Sequence, residues 1–169
     1  MTSSIRDFVK QDLRERLFRD AWSFRVFNET DLQVRAAFHI QKRFLSDARK
    51  MFLVNEPSIK IGRAKGVKSA YPDLVLVNKG GPFAAIELKC FLEEGDSKFA
   101  AIENKAWEDI ENLDKFCDRY GDNAYGFGMI LVNLKEPGKF SRLKGRLDRD
   151  RESWMKHRIF AHVVNMYCD

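Results

Sequence analysis

The sequence predicts an α/β fold, a mixed β-sheet flanked by helices with its elements in the order ααβββαβαβ. Three observations carry this. Long stretches repeat apolar residues at helical spacing, shorter runs rich in Val, Ile, Leu and aromatic residues have the length of strands, and turn residues separate the two kinds. Helices alternating with strands bury their apolar faces most readily as layers on a sheet. A chain of 169 residues suits one domain with a core of its own, so residues 1–169 are read as a single unit.

Each element has a local cause. Ser3 or Ser4 can cap a first helix in which Ile5, Phe8, Val9, Leu13, Leu17, Ala21 and Trp22 recur on one face. A second helix is predicted to start near Thr30, where Thr30-Asp31-Leu32-Gln33 matches a capping box and Leu32, Ala36, Ile40 and Phe44 follow as a stripe; it ends before Asn55. Met51 to Val54 and Ser58 to Ile61 are short strand-like runs around Pro57, and a turn from Gly62 to Ser69 leads on to Leu74–Val77. The Asn78-Lys79-Gly80-Gly81-Pro82 turn folds the run from Phe83 to Lys89 back beside it as a hairpin. From Ser97 to Tyr120 the residues Phe99, Ile102, Ala106, Ile110, Leu113 and Phe116 fall close to one helical stripe. A strand from Tyr125 to Asn133, a charged helix from Ser141 to Lys156 and a last strand from Ile159 to Tyr167 complete the order, without internal repeats or low-complexity segments.

Composition narrows the function. Apolar residues make up 44% and charged residues 33% of the chain, a globular balance. No apolar run approaches the ~20 residues of a membrane span, and Met1-Thr2-Ser3-Ser4-Ile5-Arg6-Asp7 lacks the apolar core of a secretory signal, so a cytoplasmic protein is expected. Cys90, Cys117 and Cys168 lack the paired spacing of a zinc site or a disulfide framework, and His39, His157 and His162 are too scattered for a His-based metal site.

The net charge of +5 is unevenly distributed along the chain. Lys60, Arg63, Lys65 and Lys68 form a basic stretch free of acids that leads into Tyr71-Pro72-Asp73. Between Lys135 and Arg158 charges of both signs alternate, as on a solvated helix, and the region from Glu93 to Asp122 is acidic, which suggests a helix turned away from any polyanion.

The chemistry concentrates in the hairpin. Side chains alternate faces along a strand, so Glu87 and Lys89 share one face while Ile86, Leu88 and Cys90 share the other. Asp73 lies where the first strand of the hairpin begins, so two carboxylates and an ammonium can converge. The flanking residues are apolar on both faces, which marks central strands, and charges at the end of a buried strand require partners or a metal. Phosphodiester cleavage needs an in-line water, charge neutralisation at the scissile phosphate and help for the leaving oxygen, and hard oxygen ligands holding Mg²⁺ supply much of this. Asp73 and Glu87 suit as ligands, and the Leu88 carbonyl can join them. Lys89 can orient or deprotonate the attacking water, a bound cation pushing its pKa down, or stabilise charge on the phosphorane. The bland alternative is a solvated surface strand, with Asp73 a turn former after Pro72.

Pro72-Asp73, thirteen further residues and then Glu87-Leu88-Lys89 is similar to the signature of the PD-(D/E)xK, or restriction-endonuclease-like, nuclease superfamily. The family core has the order αβββαβ, which the elements from about residue 29 to 133 follow, with additions at both ends. The resemblance implies cleavage of DNA, less often RNA, with Mg²⁺ or with Mn²⁺ as a substitute, although some members have lost catalysis. It also implies an acidic residue from the first core helix, for which Glu29 is the best match, Asp31 the alternative and Glu56 a poorer one. If Thr30 caps the helix, both Glu29 and Asp31 only complement the helix dipole. The helix after the signature often presents a polar residue to the site, which makes Lys105 a candidate phosphate contact; with Asp109 it also fits an ordinary surface pair.

Lys60, Arg63, Lys65 and Lys68 are the expected nucleic-acid backbone contacts. The expected partner is therefore nucleic acid, DNA before RNA, with no membrane. A homodimer through the terminal helix and last strand, and a protein partner that directs the substrate, are further expectations. The alternative from another class is a non-catalytic nucleic-acid-binding or assembly subunit that keeps the fold. A delivered nuclease toxin with an immunity partner would share the chemistry.

Overall fold

The computed structural model describes residues 7–23, 25–44, 51–55, 59–60, 69–70, 72–92, 96–156 and 158–166. A π-helical stretch, Phe8–Leu13, runs into helix α1 (Arg14–Trp22), and α2 spans Glu29–Phe44. Strands β1 (Met51–Asn55), β2 (Ile59–Lys60), β3 (Ser69–Ala70), β4 (Leu74–Asn78) and β5 (Gly81–Phe91) follow. Then come a 3₁₀ turn, α3 (Phe99–Tyr120), β6 (Tyr125–Val132), α4 (Pro137–Lys156) and β7 (Ile159–Asn165).

Five strands form one mixed sheet in the order β1-β4-β5-β6-β7. The β1, β4 and β5 pairings are antiparallel, and the β5, β6 and β7 pairings are parallel. Parallel neighbours need a crossover, which α3 and α4 supply. The expected α/β architecture with a mixed sheet between helices is therefore present, with one correction in the meander. Ile59–Lys60 pairs only with Ser69–Ala70 as a separate two-stranded ribbon, so the meander consists of β1, β4 and β5.

Period-two alternation assigns the two faces of the sheet. Leu74, Leu76, Ala84, Ile86, Leu88, Phe127, Met129 and Leu131 pack beneath the first two helices, against Leu13, Leu17, Leu32, Ala36 and Ile40. Val75, Ala85, Ile130, Val132 and Ile159 pack on the opposite side against Ile102, Ala106, Ile110, Leu113 and Phe116 of α3 and Leu143 and Leu147 of α4. The stripes read for these helices are the buried ones among the described residues, except that Trp22 is half exposed at the end of α1; Ile5 and the expected caps Ser3 and Ser4 lie outside the described residues. Across the α1–α2 interface the buried Asp20 holds His39 Nε2 at 2.7 Å. Cys90 and Cys117 are in no disulfide among the described residues, while Cys168 and His157 lie outside them.

Gly126 and Gly128 place backbone, with no side chain, beneath α3. A Cβ on Gly126 would stand 2.8 Å from the Leu113 Cβ, closer than two carbons can pack. Gly126→Ala is expected to cost about 1–3 kcal/mol through forced separation of helix and sheet. A lower denaturant midpoint with an unchanged slope would register this loss; an unshifted midpoint would show that the helix yields freely.

Candidate active site

The site forms where the sheet splays open. Leu74, the first residue of β4, pairs with Ile86, but β5 runs on to Phe91 with β6 alone beside it. The freed edge of β5 needs a substitute acceptor, and Asp73 provides one: its Oδ2 accepts the Leu88 N–H at 2.5 Å. The N–H and C=O of one residue in an extended strand point the same way. The Leu88 carbonyl therefore faces the same opened edge, where it was expected as a ligand.

Glu87 and Lys89 share the parity of Ala85 and so project to the α3 side, while Ile86 and Leu88 lie in the other core. This bears out the alternation read from the sequence. Asp73, Glu87 and Lys89 are all buried, which rules out a solvated surface strand.

Helix α2 reaches the splay from the opposite layer. Its cap differs from the expectation: the helix begins at Glu29, Asn28 Oδ1 accepts the Asp31 N–H at 2.9 Å, and Asp31 Oδ2 accepts the Phe27 N–H at 3.0 Å. Thr30 is thus already inside the helix. The polar side chains on either side of Glu29 carry the cap, so Asp31 is committed to backbone and Glu29 is free to reach inward. Glu29 Oε1 accepts from Lys89 Nζ at 2.9 Å, and Gln33, one turn on, donates from Nε2 to Asp73 Oδ1 at 2.7 Å.

The other layer adds a carboxylate that the sequence reading missed. Asp109 of α3 is buried and places Oδ2 3.6 Å from Lys89 Nζ. The acidic helix expected to point away from the site therefore contributes to it. The signal was present: Ile102, Ala106 and Leu113 define a buried stripe on which Asp109 also falls, and a carboxylate on an apolar stripe calls for a partner. Lys105 lies on the exposed surface one turn earlier and lowers the pKa of Asp109 through its charge, but Asp109 pairs with Lys89.

Crowding of carboxyl groups controls the electrostatics. Burial raises Asp73 to about 6, against the opposing pull of Lys89 and the Leu88 N–H. Burial, then the charges of Asp73 and Asp109, push Glu87 to about 9. Asp109 is also raised, mainly by burial. For Lys89, burial works downward, but Asp73, the Glu29 hydrogen bond and Asp109 outweigh it, and the net shift is upward. These carboxyl groups keep Lys89 a charged donor when no cation is bound.

Asp73, Glu87, Glu29 and Asp109 together set four carboxyl groups against the one ammonium of Lys89. Among the described residues this cluster holds more carboxyl groups than cations, and its oxygen donors suit a hard divalent cation. The fit rests on Asp73 and Glu87, the carboxylates expected as ligands, and on the Leu88 carbonyl. No group of three or more His, Cys, Asp and Glu side chains with the geometry of a metal cage exists among the described residues.

Of the remaining expected contacts, Lys60 is described only as backbone of β2, and Arg63, Lys65, Lys68 and Glu56 lie outside the described residues. No helix among the described residues is long and apolar enough to cross a membrane. Comparison of the chain with protein-family models, with curated proteins and with solved structures returned no match.

Proposed function

We propose that this chain is a divalent-metal-dependent nuclease of the PD-(D/E)xK, restriction-endonuclease-like type that hydrolyses phosphodiester bonds in DNA. The observation that supports it best is the convergence of Asp73, Glu87 and Lys89 at the splayed strand edge, with Glu29 brought to Lys89 from the preceding helix. Glu29 is distant in sequence from the hairpin, and a packing role alone would not bury three charged side chains together.

Asp73, Glu87 and the Leu88 carbonyl would hold Mg²⁺, or Mn²⁺ in its place. The bound cation supplies neutralisation of the scissile phosphate and of the leaving oxygen. Lys89, whose carboxylate neighbours favour its charged form in the metal-free site, would donate from Nζ to the attacking water or to a phosphate oxygen and so fix the line of attack. Gln33 orients Asp73 by occupying Oδ1. Arg63, Lys65 and Lys68, on the stretch that leads to Asp73, are the proposed backbone contacts, with Lys60 before them and Lys105 on the neighbouring helix. Binding through several of them would weaken steeply with salt.

The test is cleavage of supercoiled plasmid, linear duplex and single-stranded DNA with Mg²⁺, Mn²⁺ or EDTA. Asp73→Asn is the informative variant. Asp73→Ala would orphan the buried Leu88 N–H at a cost of about 1–3 kcal/mol, whereas an amide oxygen can still accept that bond. Metal-dependent cutting by the wild type that falls by about 10³-fold or more in a folded Asp73→Asn supports the nuclease. DNA binding with equal, metal-independent traces of cutting in both proteins would replace it with a non-catalytic binding subunit.

A further inference from the structure

We infer that Asp109 is a positioning residue for Lys89: together with Glu29 it brackets the ammonium from the two helical layers and fixes where Nζ stands. The role of Lys89 in this inference rests on the nuclease reading; its geometry does not. A lysine carries its charge on a flexible four-carbon stem, and a single acceptor leaves Nζ free to swing about it. Here α2 supplies Glu29 at 2.9 Å and α3 supplies Asp109 at 3.6 Å, with the Lys89 side chain buried between.

The two contacts differ in kind. Glu29 makes the hydrogen bond and is the more exposed partner, with 39% of its side chain accessible. Asp109 is 7% exposed, and its Oδ2 has no hydrogen bond among the described residues. A buried carboxylate oxygen left with only an ion pair costs stability that a packing residue would avoid. Because α3 packs across β5 and β6, this second anchor belongs to the core packed on the strand that carries both Glu87 and Lys89.

The experiment compares wild type, Asp109→Asn and Glu29→Gln, each first checked for a cooperative unfolding transition. Two quantities are measured: the chemical-shift difference between the two Hε protons of Lys89 in the metal-free protein, and kcat and KM for plasmid cleavage. A fixed lysine has inequivalent Hε protons, and a swinging one averages them. Asp109→Asn is expected to at least halve that difference and to lower kcat about 10- to 100-fold with KM little changed, the size of loss seen when the support of an active group is removed. A general loosening of the fold would alter many residues and the stability instead.

An Hε difference in Asp109→Asn equal to that of the wild type overturns the inference, whatever happens to the rate. So does an unchanged kcat in an actively cutting enzyme. If the wild type cuts nothing, the nuclease reading fails and the Hε protons alone decide whether Asp109 positions Lys89.

Discussion

Glu87→Gln is expected to abolish metal-dependent cleavage, by about 10³-fold or more, and at the same time to make the metal-free protein more stable than the wild type at pH 8. Burial and the charges of Asp73 and Asp109 raise Glu87 from its ordinary value to about 9 in the folded state. The folded protein then holds a proton that the unfolded chain releases near pH 4.5. Stability from this group is greatest below that unfolded pKa and falls as pH rises toward 9, with a limiting slope of about 1.4 kcal/mol per pH unit. Gln carries no such proton. Its curve should therefore be flatter, meeting the wild type in acid and lying above it in base. Thermal or denaturant unfolding in EDTA from pH 4 to 9 checks this, and parallel curves would mean that Glu87 is an ordinary solvated carboxylate.

Binding of Mn²⁺ or Mg²⁺ is expected to depend on pH in two stages. Since the ligand carboxylates must be ionised, the proton on Glu87 has to leave when a cation binds between pH 6 and 9, and Asp73 adds a second proton below about 6. The dissociation constant should fall about tenfold per pH unit in the upper range and more steeply below it. Calorimetry in buffers of different ionisation enthalpy counts the protons directly. About one released per cation near pH 7.5 is the expected result, and none would remove Glu87 from the ligand set. Both effects share one cause, since burial favours the protonated form of these carboxyl groups.

The hairpin was legible because its information is local. Glu87-Leu88-Lys89 on a strand must alternate faces, the segment from Asn78 to Pro82 must turn the chain back, and apolar residues around both strands must be buried; the structure agrees, with the turn narrowed to Lys79-Gly80 because Gly81 and Pro82 already pair within β5. Helix α2 was legible as a stripe but not at its start. Thr30 was the expected cap, but Asn28 holds that position, and Glu29, the first helical residue, faces Lys89. The acidic helix misled for the opposite reason. Its average charge suggested solvent, while two of its carboxylates, Glu103 and Asp109, lie on the buried side of it.

Periodicity, turn chemistry and residue type were sufficient for the α/β class, for the two faces of the sheet and for Asp73, Glu87 and Lys89 as neighbours, since each follows from contacts within a few residues or across one hairpin. The approach of Glu29 and Gln33 from one layer and Asp109 from the other depends on where two helices cross the opened edge of β5. That crossing is decided by packing between segments far apart in the chain, as in the seat of Leu113 over Gly126, and no local pattern encodes the position it gives to a single carboxylate.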